Sequence, residues 1–356
     1  MSDTVSRRTI IRGPLAAAAA LAMPAILRAA PAGEVVVRGL GGAYQDAMDA
    51  VIYKPFTAVT GINVVVQLAT AGQVLAMVQA GRVAIDVVDL GDLQLMSLDK
   101  LGALAPIGYD KMKLTNPGDI KASVRHANLV GNLYFATVMV YNTSVFAPAQ
   151  HPQSWRAFWD VSTFPGPRTL ADQRSGAAEL EFALLADGAA RDKLYPIDMD
   201  RAFASLDRIK EHVSKWWDTG AVSAQLLERK EAVAGAIWNG RAQALIDNGA
   251  PLAIEWNEAK QQLQAWAVLK GSPNADSAQR FIDFALQPQV QAELTRHIAY
   301  GPTNDQAFKY VRPEDLAKLP SSPENYKNSY EQNATWWSEN LAEVGKRWQT
   351  WVLRKG

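Results

Sequence analysis

The residues of this chain that could do chemistry on a small ligand sit where strand-like runs meet turns. Gly39-Leu40-Gly41-Gly42-Ala43-Tyr44 follows one such run and opens a helix-like one. It is not a dinucleotide fingerprint, because the third glycine position is Tyr44. A more general property survives. The helix after the turn aims free backbone N–H groups at the strand ends, which suits an anionic group on a small ligand. Ligands of open α/β sheets sit outside the carboxyl ends of the strands. Gly41, Gly42, Tyr44, Gly91 and Asp92 should therefore share one crevice. Trp238 and Trp266 each mark an end of a short strand-like run, and an indole there can pack or face a ligand.

Catalytic chemistry finds little support. No G-x-S-x-G, H-E-x-x-H or G-x-x-x-x-G-K-[ST] pattern occurs. The carboxylate pairs Asp89/Asp92 and Glu179/Glu181 could serve acid–base work, but read more simply as a strand end and a helix face on which nothing converges. The absence of cysteine removes thiol catalysis, Fe–S clusters and thiolate zinc, and His126, His151, His212 and His297 are too far apart for a helical zinc pair. No catalytic residue, metal or cofactor is expected.

These residues need a scaffold, and the hydrophobic pattern supplies one. Residues 34–38, 62–66 and 85–90 read as buried strands, and 43–59 and 74–80 as the helices between them. That alternation is the βαβ rhythm of a parallel sheet. Further strands are expected at 133–141, 233–237 and 266–269, and further helices at 177–185, 200–212, 223–227, 275–285 and 288–297. The pattern stops and restarts without a linker, so two lobes should share the chain. Near the C-terminus, Trp337, Leu341, Val344, Trp348 and Trp351 form one apolar helix face. Interspersed Glu339, Glu343, Lys346 and Arg347 give no strongly basic face, so this reads as a docking helix rather than a membrane-surface one.

Residues 1–32 read as an export signal, with a charged start, an apolar run from Pro14 to Leu27 and a small-residue cleavage site at Ala30-Pro31-Ala32. Arg7-Arg8 before Ile10-Ile11 resembles a twin-arginine signal. Gly13, Pro14, Pro24 and Arg28 leave too short an apolar run for a membrane anchor. This segment holds four arginines and one aspartate, so the remainder carries 32 basic and 35 acidic residues, net −3. That gives no electrostatic footprint for nucleic acid. A soluble periplasmic protein starting near Gly33 is the expectation.

Several segments together resemble the ABC-transporter substrate-binding proteins of the spermidine/putrescine-binding type. They are Gly41-Gly42-Ala43-Tyr44-Gln45, Lys54-Pro55-Phe56, Thr60-Gly61-Ile62-Asn63-Val64, Ser154-Trp155-Arg156-Ala157-Phe158-Trp159, Leu194-Tyr195-Pro196-Ile197-Asp198, Trp216-Trp217, Ile237-Trp238-Asn239-Gly240-Arg241 and Tyr300-Gly301-Pro302-Thr303-Asn304. The resemblance implies an α/β, two-lobed type II periplasmic-binding-protein fold with the ligand in the interlobe cleft. It implies residues 33–141 and 268–308 in lobe 1, and 142–267 and 309–356 in lobe 2, with crossing strands near 136–141 and 265–269. The partners implied are a small solute and an inner-membrane permease, with the binding protein acting as a monomer and not inserting in the membrane.

The resemblance also implies that Tyr44, Trp238 and Tyr300 wall the cleft, with Trp217 and Asn239 from the same motifs beside them. The polyamine binders' carboxylate before the second crossing strand is missing, since the stretch here is Leu263-Gln264-Ala265-Trp266. A desolvated dication needs paired charge. A carboxylate or zwitterionic ligand is therefore expected over a polyamine. Arg241 would fork onto the carboxylate, Tyr44, Trp238 and Trp266 would stack on the body or an ammonium, and the helix starts after Gly42 and Gly91 would support the anion. A polyamine is the runner-up, with Asp92 or Asp218 as the acid. Ferric-iron capture through Tyr44 and Tyr300, and a secreted enzyme on this scaffold, are the remaining alternatives.

Overall fold

Valine-rich strands flanked by glycine begin the fold. β1 (Glu34–Gly39), β2 (Asn63–Leu68) and β3 (Val87–Gly91) pair in parallel in the order β2-β1-β3. The structure, a computed structural model, describes residues 33–354, so the export signal expected at 1–32 lies outside the described residues. A second parallel trio is formed by β6 (Arg168–Ala171), β7 (Val213–Trp217) and β8 (Ala234–Trp238), in the order β8-β6-β7. Two long strands, β5 (Val130–Asn142) and β9 (Leu252–Leu269), pair antiparallel with each other and join the trios: β9 to β3, β5 to β8. Short strands β4 (Leu104–Ala105) and β11 (Tyr330–Glu331) pair with β9, and β10 (Gly301–Pro302) pairs with β5.

The hydrophobic residues separate accordingly. One core gathers β1, β3, the start of β5 up to Tyr134, the end of β9 from Leu263, and the helix Ala275–Ala285. Another gathers Met139, Tyr141, the helix Leu180–Ala186, the helix Met199–Ile209 and the C-terminal helix Ala334–Leu353. A smaller cluster holds Ala136, Val138, Val140 and Ala259. Between these cores the two long strands run side by side, with Phe135 on one and Lys260–Gln262 on the other.

Local chemistry explains most element ends. The expected helix 43–59 appears as Gly42–Met48, a π-helical turn Asp49–Tyr53, and Lys54–Thr60. Pro55 lacks an N–H and its ring crowds the carbonyl four residues back, so the wider turn falls where the regular ladder fails. Thr70 and Gln73 form a reciprocal capping box that starts the helix Ala71–Gln79. The C-terminal helix docks as its pattern indicated. Trp337, Trp348 and Trp351 are buried, and their indole N–H groups donate to Glu181, Asp172 and Asp207 at 2.6, 3.3 and 2.6 Å.

One strand is far longer than the pattern at residues 266–269 suggested. β9 extends back to Leu252 through Glu255, Asn257, Glu258, Lys260, Gln261, Gln262 and Gln264. Lys260, Gln261, Gln262 and Gln264 line cavities on the two sides of the strand, while Glu255, Asn257 and Glu258 bond to the segment around His151–Trp155. Between Thr137↔Lys260 and Met139↔Glu255 the register with β5 shifts, and Glu258 there holds a left-handed φ of 60°. Its carboxylate accepts from the Trp155 backbone N–H and its carbonyl from the Trp155 indole, at 2.8 and 3.0 Å, which holds the bulge in place.

Candidate functional site

A cavity of about 370 Å³ opens where the parallel strands end and the long strands cross, within the usual size of a small-molecule site. Its floor is made by alternate residues of the crossing strands: Leu133, Phe135 and Thr137 from β5, Lys260, Gln262 and Gln264 from β9. One wall comes from Arg38, Gly41, Tyr44, Gly91 and Asp92, the other from Glu179, Trp217, Trp238 and Arg241, with Tyr300 and Gln332 between.

The aromatic residues form a connected run. Ring centroids are 6.5 Å apart for Tyr44–Tyr300, 6.1 Å for Tyr300–Phe135, 6.2 Å for Phe135–Trp238 and 5.5 Å for Trp238–Trp217. Trp217 is fully buried, lies behind Trp238, and donates its indole N–H to the Ala236 carbonyl at 2.9 Å. The Tyr44 hydroxyl donates to Asp89 at 2.6 Å, which fixes the ring against the cavity. Arg38 braces the same wall from behind, donating to the carbonyls of Ala69 and Asp89 at 2.6 and 2.7 Å.

Two glycines let this wall assemble. A Cβ on Gly220 would stand 2.8 Å from the Trp238 ring and 3.3 Å from Arg241 Nε, and one on Gly240 would stand 2.6 Å from the Tyr300 ring. Arg241 projects from the first turns of the helix Asn239–Asp247. Its guanidinium makes no ion pair or hydrogen bond with any described residue, and its charge lowers the Tyr300 hydroxyl against the burial that pushes it up to about 12. Asp218, one of the acids that could have served an amine, pairs instead with Arg174 at 3.6 Å.

Seven of the expected site residues therefore meet at the cavity: Tyr44, Gly91, Asp92, Trp217, Trp238, Arg241 and Tyr300. Three do not. Trp266 is fully buried in the first core, edge-on to Phe281 at 5.3 Å. It shares a β9 face with Gln262 and Gln264 but lies one step further along the strand, past the end of the cavity and inside the first core. Asn239 is also fully buried, and works as a bracket. Its side-chain oxygen accepts from the Ala136 N–H at 2.9 Å and its amide donates to the Ala299 carbonyl at 2.5 Å, tying Trp238 and Arg241 to β5 and to the segment carrying Tyr300. Gly42 is exposed outside the cavity, and Gly41 borders it instead. The expected anion support after Gly91 is also revised. An Asp92 carboxyl oxygen already accepts from the Leu93 N–H at 2.7 Å, so the protein's own carboxyl group occupies that helix start.

The carboxylate pairs are more than a strand end and a helix face. Glu179 and Glu181 are buried and converge on buried Lys260, at 2.6 and 3.6 Å. Glu181 also accepts from the Tyr195 hydroxyl at 2.5 Å and the Trp337 indole at 2.6 Å. Burial alone would lower Lys260, but the two carboxylates hold it above the ordinary lysine range. Lys260, Phe135 and Gln262 were not singled out from sequence. Phe135 shares a face with Leu133 and Thr137, so period-2 alternation within 133–141 was the available signal. Among the described residues no group of three or more His, Asp or Glu is placed to hold a metal ion.

Burial pushes Asp89 and Asp92 up to about 7; hydrogen bonds to Asp89 and its neighbour Arg38 only partly offset this, and Glu331 adds to it at Asp92. In the unfolded chain both ionise near pH ~3.9. The folded state thus keeps protons that the unfolded state has lost, and this contribution to stability fades as pH rises through the folded-state values. His126, held below its ordinary value by burial, acts in the opposite sense, as one group against two. The melting temperature of the ligand-free protein should therefore fall as pH rises from about 5 to about 7 and level off above that. Glu179, which burial also pushes up to about 7, adds in the same sense, and a scanning-calorimetry series in which the melting temperature rises across that interval would remove this reading of the buried acids.

The residues 52–324 match the family of bacterial extracellular solute-binding proteins. The chain is 34% identical to the gamma-aminobutyric acid-binding protein of Pseudomonas aeruginosa, over 90% of this chain and 91% of that one. An ABC transporter substrate-binding protein from Bradyrhizobium japonicum has a solved structure that superposes with a TM-score of 0.84 at 35% identity, covering 90% and 99% of the two chains. The Atu4243-GABA receptor structure superposes at 0.83 with 32% identity, covering 91% and 98%. No described helix is long and apolar enough to cross a membrane. An aromatic-walled cavity between two parallel trios, in a chain with these relatives, identifies the protein as a member of the bacterial extracellular solute-binding family, the substrate-binding proteins of ABC transporters.

Proposed function

We propose that the protein captures a small zwitterionic ω-amino acid, of the γ-aminobutyrate kind, and delivers it to an ABC permease from the periplasm. The observation that carries this reading is the Arg241 guanidinium, paired with no described residue, at the edge of a cavity that Tyr44, Phe135, Trp238 and Tyr300 wall beside polar and charged residues. A cation left unpaired there favours a ligand carboxylate. The aromatic faces of Tyr44, Trp238 and Tyr300 suit a short methylene body and one ammonium. The similarity to the gamma-aminobutyric acid-binding protein and to the Atu4243-GABA receptor supports the same ligand class. The lobes would close by bending at Phe135 and at Lys260–Gln262, where the long strands pass from one core to the other. Export through residues 1–32 by the twin-arginine route, and action as a monomer, complete the proposal.

A thermal-shift panel tests the ligand class. γ-Aminobutyrate at saturation should raise the melting temperature, because a ligand that binds only the folded state stabilises it by mass action. Stabilisation by putrescine and spermidine with no response to γ-aminobutyrate would favour the polyamine alternative. Trp238→Ala should weaken γ-aminobutyrate roughly 2- to 30-fold by removing a cation–π face, read as a shift of the titration midpoint. An unchanged midpoint would remove Trp238 from the site.

A further inference from the structure

A second cavity, of about 340 Å³, adjoins the first on the other side of the crossing strands. Tyr134 and Gln261 line it, and by alternation they point away from the face that carries Phe135, Lys260 and Gln262. The two cavities meet at Asp92, Gln262, Leu263 and Gln332, which border both. Across the second one stands Glu331, near enough that its charge raises Asp92. Neither carboxylate has an ion-pair partner among the described residues. Asp92 accepts only from its own turn at Leu93, and Glu331 accepts from the Tyr326 hydroxyl.

The lining also presents polar atoms that nothing in the protein satisfies. Gln261 is 1% exposed, and its amide donates to the Pro320 carbonyl and the Ser329 hydroxyl at 2.8 and 3.0 Å while its side-chain oxygen has no partner. Tyr134 is 2% exposed and its hydroxyl is likewise unpaired, with Ser123 beside it short of hydrogen-bonding geometry. A buried oxygen without a donor is costly. Two unpaired carboxylates, a free amide oxygen and a phenol that can accept outnumber the one unpaired donor of the lining, the Gln332 amide nitrogen, and leave a surplus of acceptors around one space. The chemistry that resolves such a surplus is a compact cation with several N–H donors.

We propose that this second cavity binds a small primary ammonium cation, held between Asp92 and Glu331 and by Gln261, as a site separate from the aromatic cavity. Asp92 begins the helix that follows β3, and Glu331 lies on β11 next to Tyr330 of the second core. A cation between them replaces a repulsion across the two halves of the molecule by an attraction, so it favours their closed arrangement. The site does not depend on the ligand assigned to the aromatic cavity.

Ethylammonium chloride, titrated calorimetrically at constant ionic strength against a sodium chloride control, tests it. The wild-type protein and Arg241→Ala should bind ethylammonium saturably and alike. Glu331→Gln, at an exposed position, and Asp92→Asn should each bind roughly tenfold or more weakly. Wild-type ethylammonium binding should also tighten γ-aminobutyrate binding, and Glu331→Gln should abolish that coupling. No saturable binding to the wild-type protein would overturn the proposal, and so would binding abolished by Trp238→Ala but unchanged by Glu331→Gln. A protein that ignores γ-aminobutyrate but shows the Glu331-dependent ethylammonium response would sink the proposed cleft ligand and leave this site standing.

Discussion

Lys260→Ala should destabilise the protein by about 3–5 kcal/mol, the loss expected when one partner of a buried ion pair is removed. The size follows from what remains. Glu179 and Glu181 are both buried, and among the described residues Lys260 is the cation within 4 Å of either. Glu181 keeps two donors, Tyr195 and Trp337, but Glu179 loses its partner at 2.6 Å. It must then stay ionised without compensation or take up a proton, and each costs free energy relative to the wild type. Chemical denaturation reads the effect as a lower midpoint. Lys260→Met combined with Glu179→Gln should recover part of the loss, because the uncompensated charge is then gone. A Lys260→Ala protein within about 1 kcal/mol of wild type would mean that the cluster is solvated, contrary to its burial.

Arg241→Ala should act on binding and leave stability nearly unchanged. The guanidinium pairs with no described residue, so its removal breaks nothing in the empty protein. A charged hydrogen bond to a ligand carboxylate is worth about 1.5–3 kcal/mol, a loss of roughly 10- to 150-fold in affinity for γ-aminobutyrate. Arg241→Lys should keep the charge but not the planar fork, and fall between. Putrescine, which has no carboxylate, should not lose affinity in either variant. Equal losses for both ligands would indicate a disturbed Trp238 or Tyr300 wall rather than a lost carboxylate contact.

The first parallel trio and β8 were legible in the sequence, since Val35–Val37, Val87–Leu90 and Ala234–Ile237 read as short apolar runs bounded by turns. β6 (Arg168–Ala171) and β7 (Val213–Trp217), short and carrying Arg168, Thr169, Ser214 and Lys215, did not read as strands. Trp238, Arg241 and Tyr44 were legible because they stand just after such runs, where α/β sheets place their ligands. The long strand β9 was not. Its central residues face one cavity or the other, so Lys260, Gln261 and Gln262 show neither the alternation of a half-buried strand nor the apolar run of a buried one. The Lys260–Glu179–Glu181 cluster shares that cause. Its members lie some 80 residues apart, with a separation of 81 for the closest pair, and no local pattern joins them. Asn239 and Trp266 misled for the opposite reason. Each sits beside site residues in sequence, but β9 runs on past the cavity and carries Trp266 into the first core, and a backbone bracket absorbs Asn239.

The central claim is that an aromatic cavity with one free guanidinium selects a zwitterion over a diamine of the same chain length. Isothermal titration calorimetry with γ-aminobutyrate and with putrescine measures that selection directly, since the two differ in exchanging a carboxylate for an ammonium. The account predicts one-to-one binding of γ-aminobutyrate at micromolar affinity or tighter, and putrescine weaker by roughly the 10- to 150-fold that a charged hydrogen bond supplies. Putrescine binding as tightly as γ-aminobutyrate, or tighter, would contradict it.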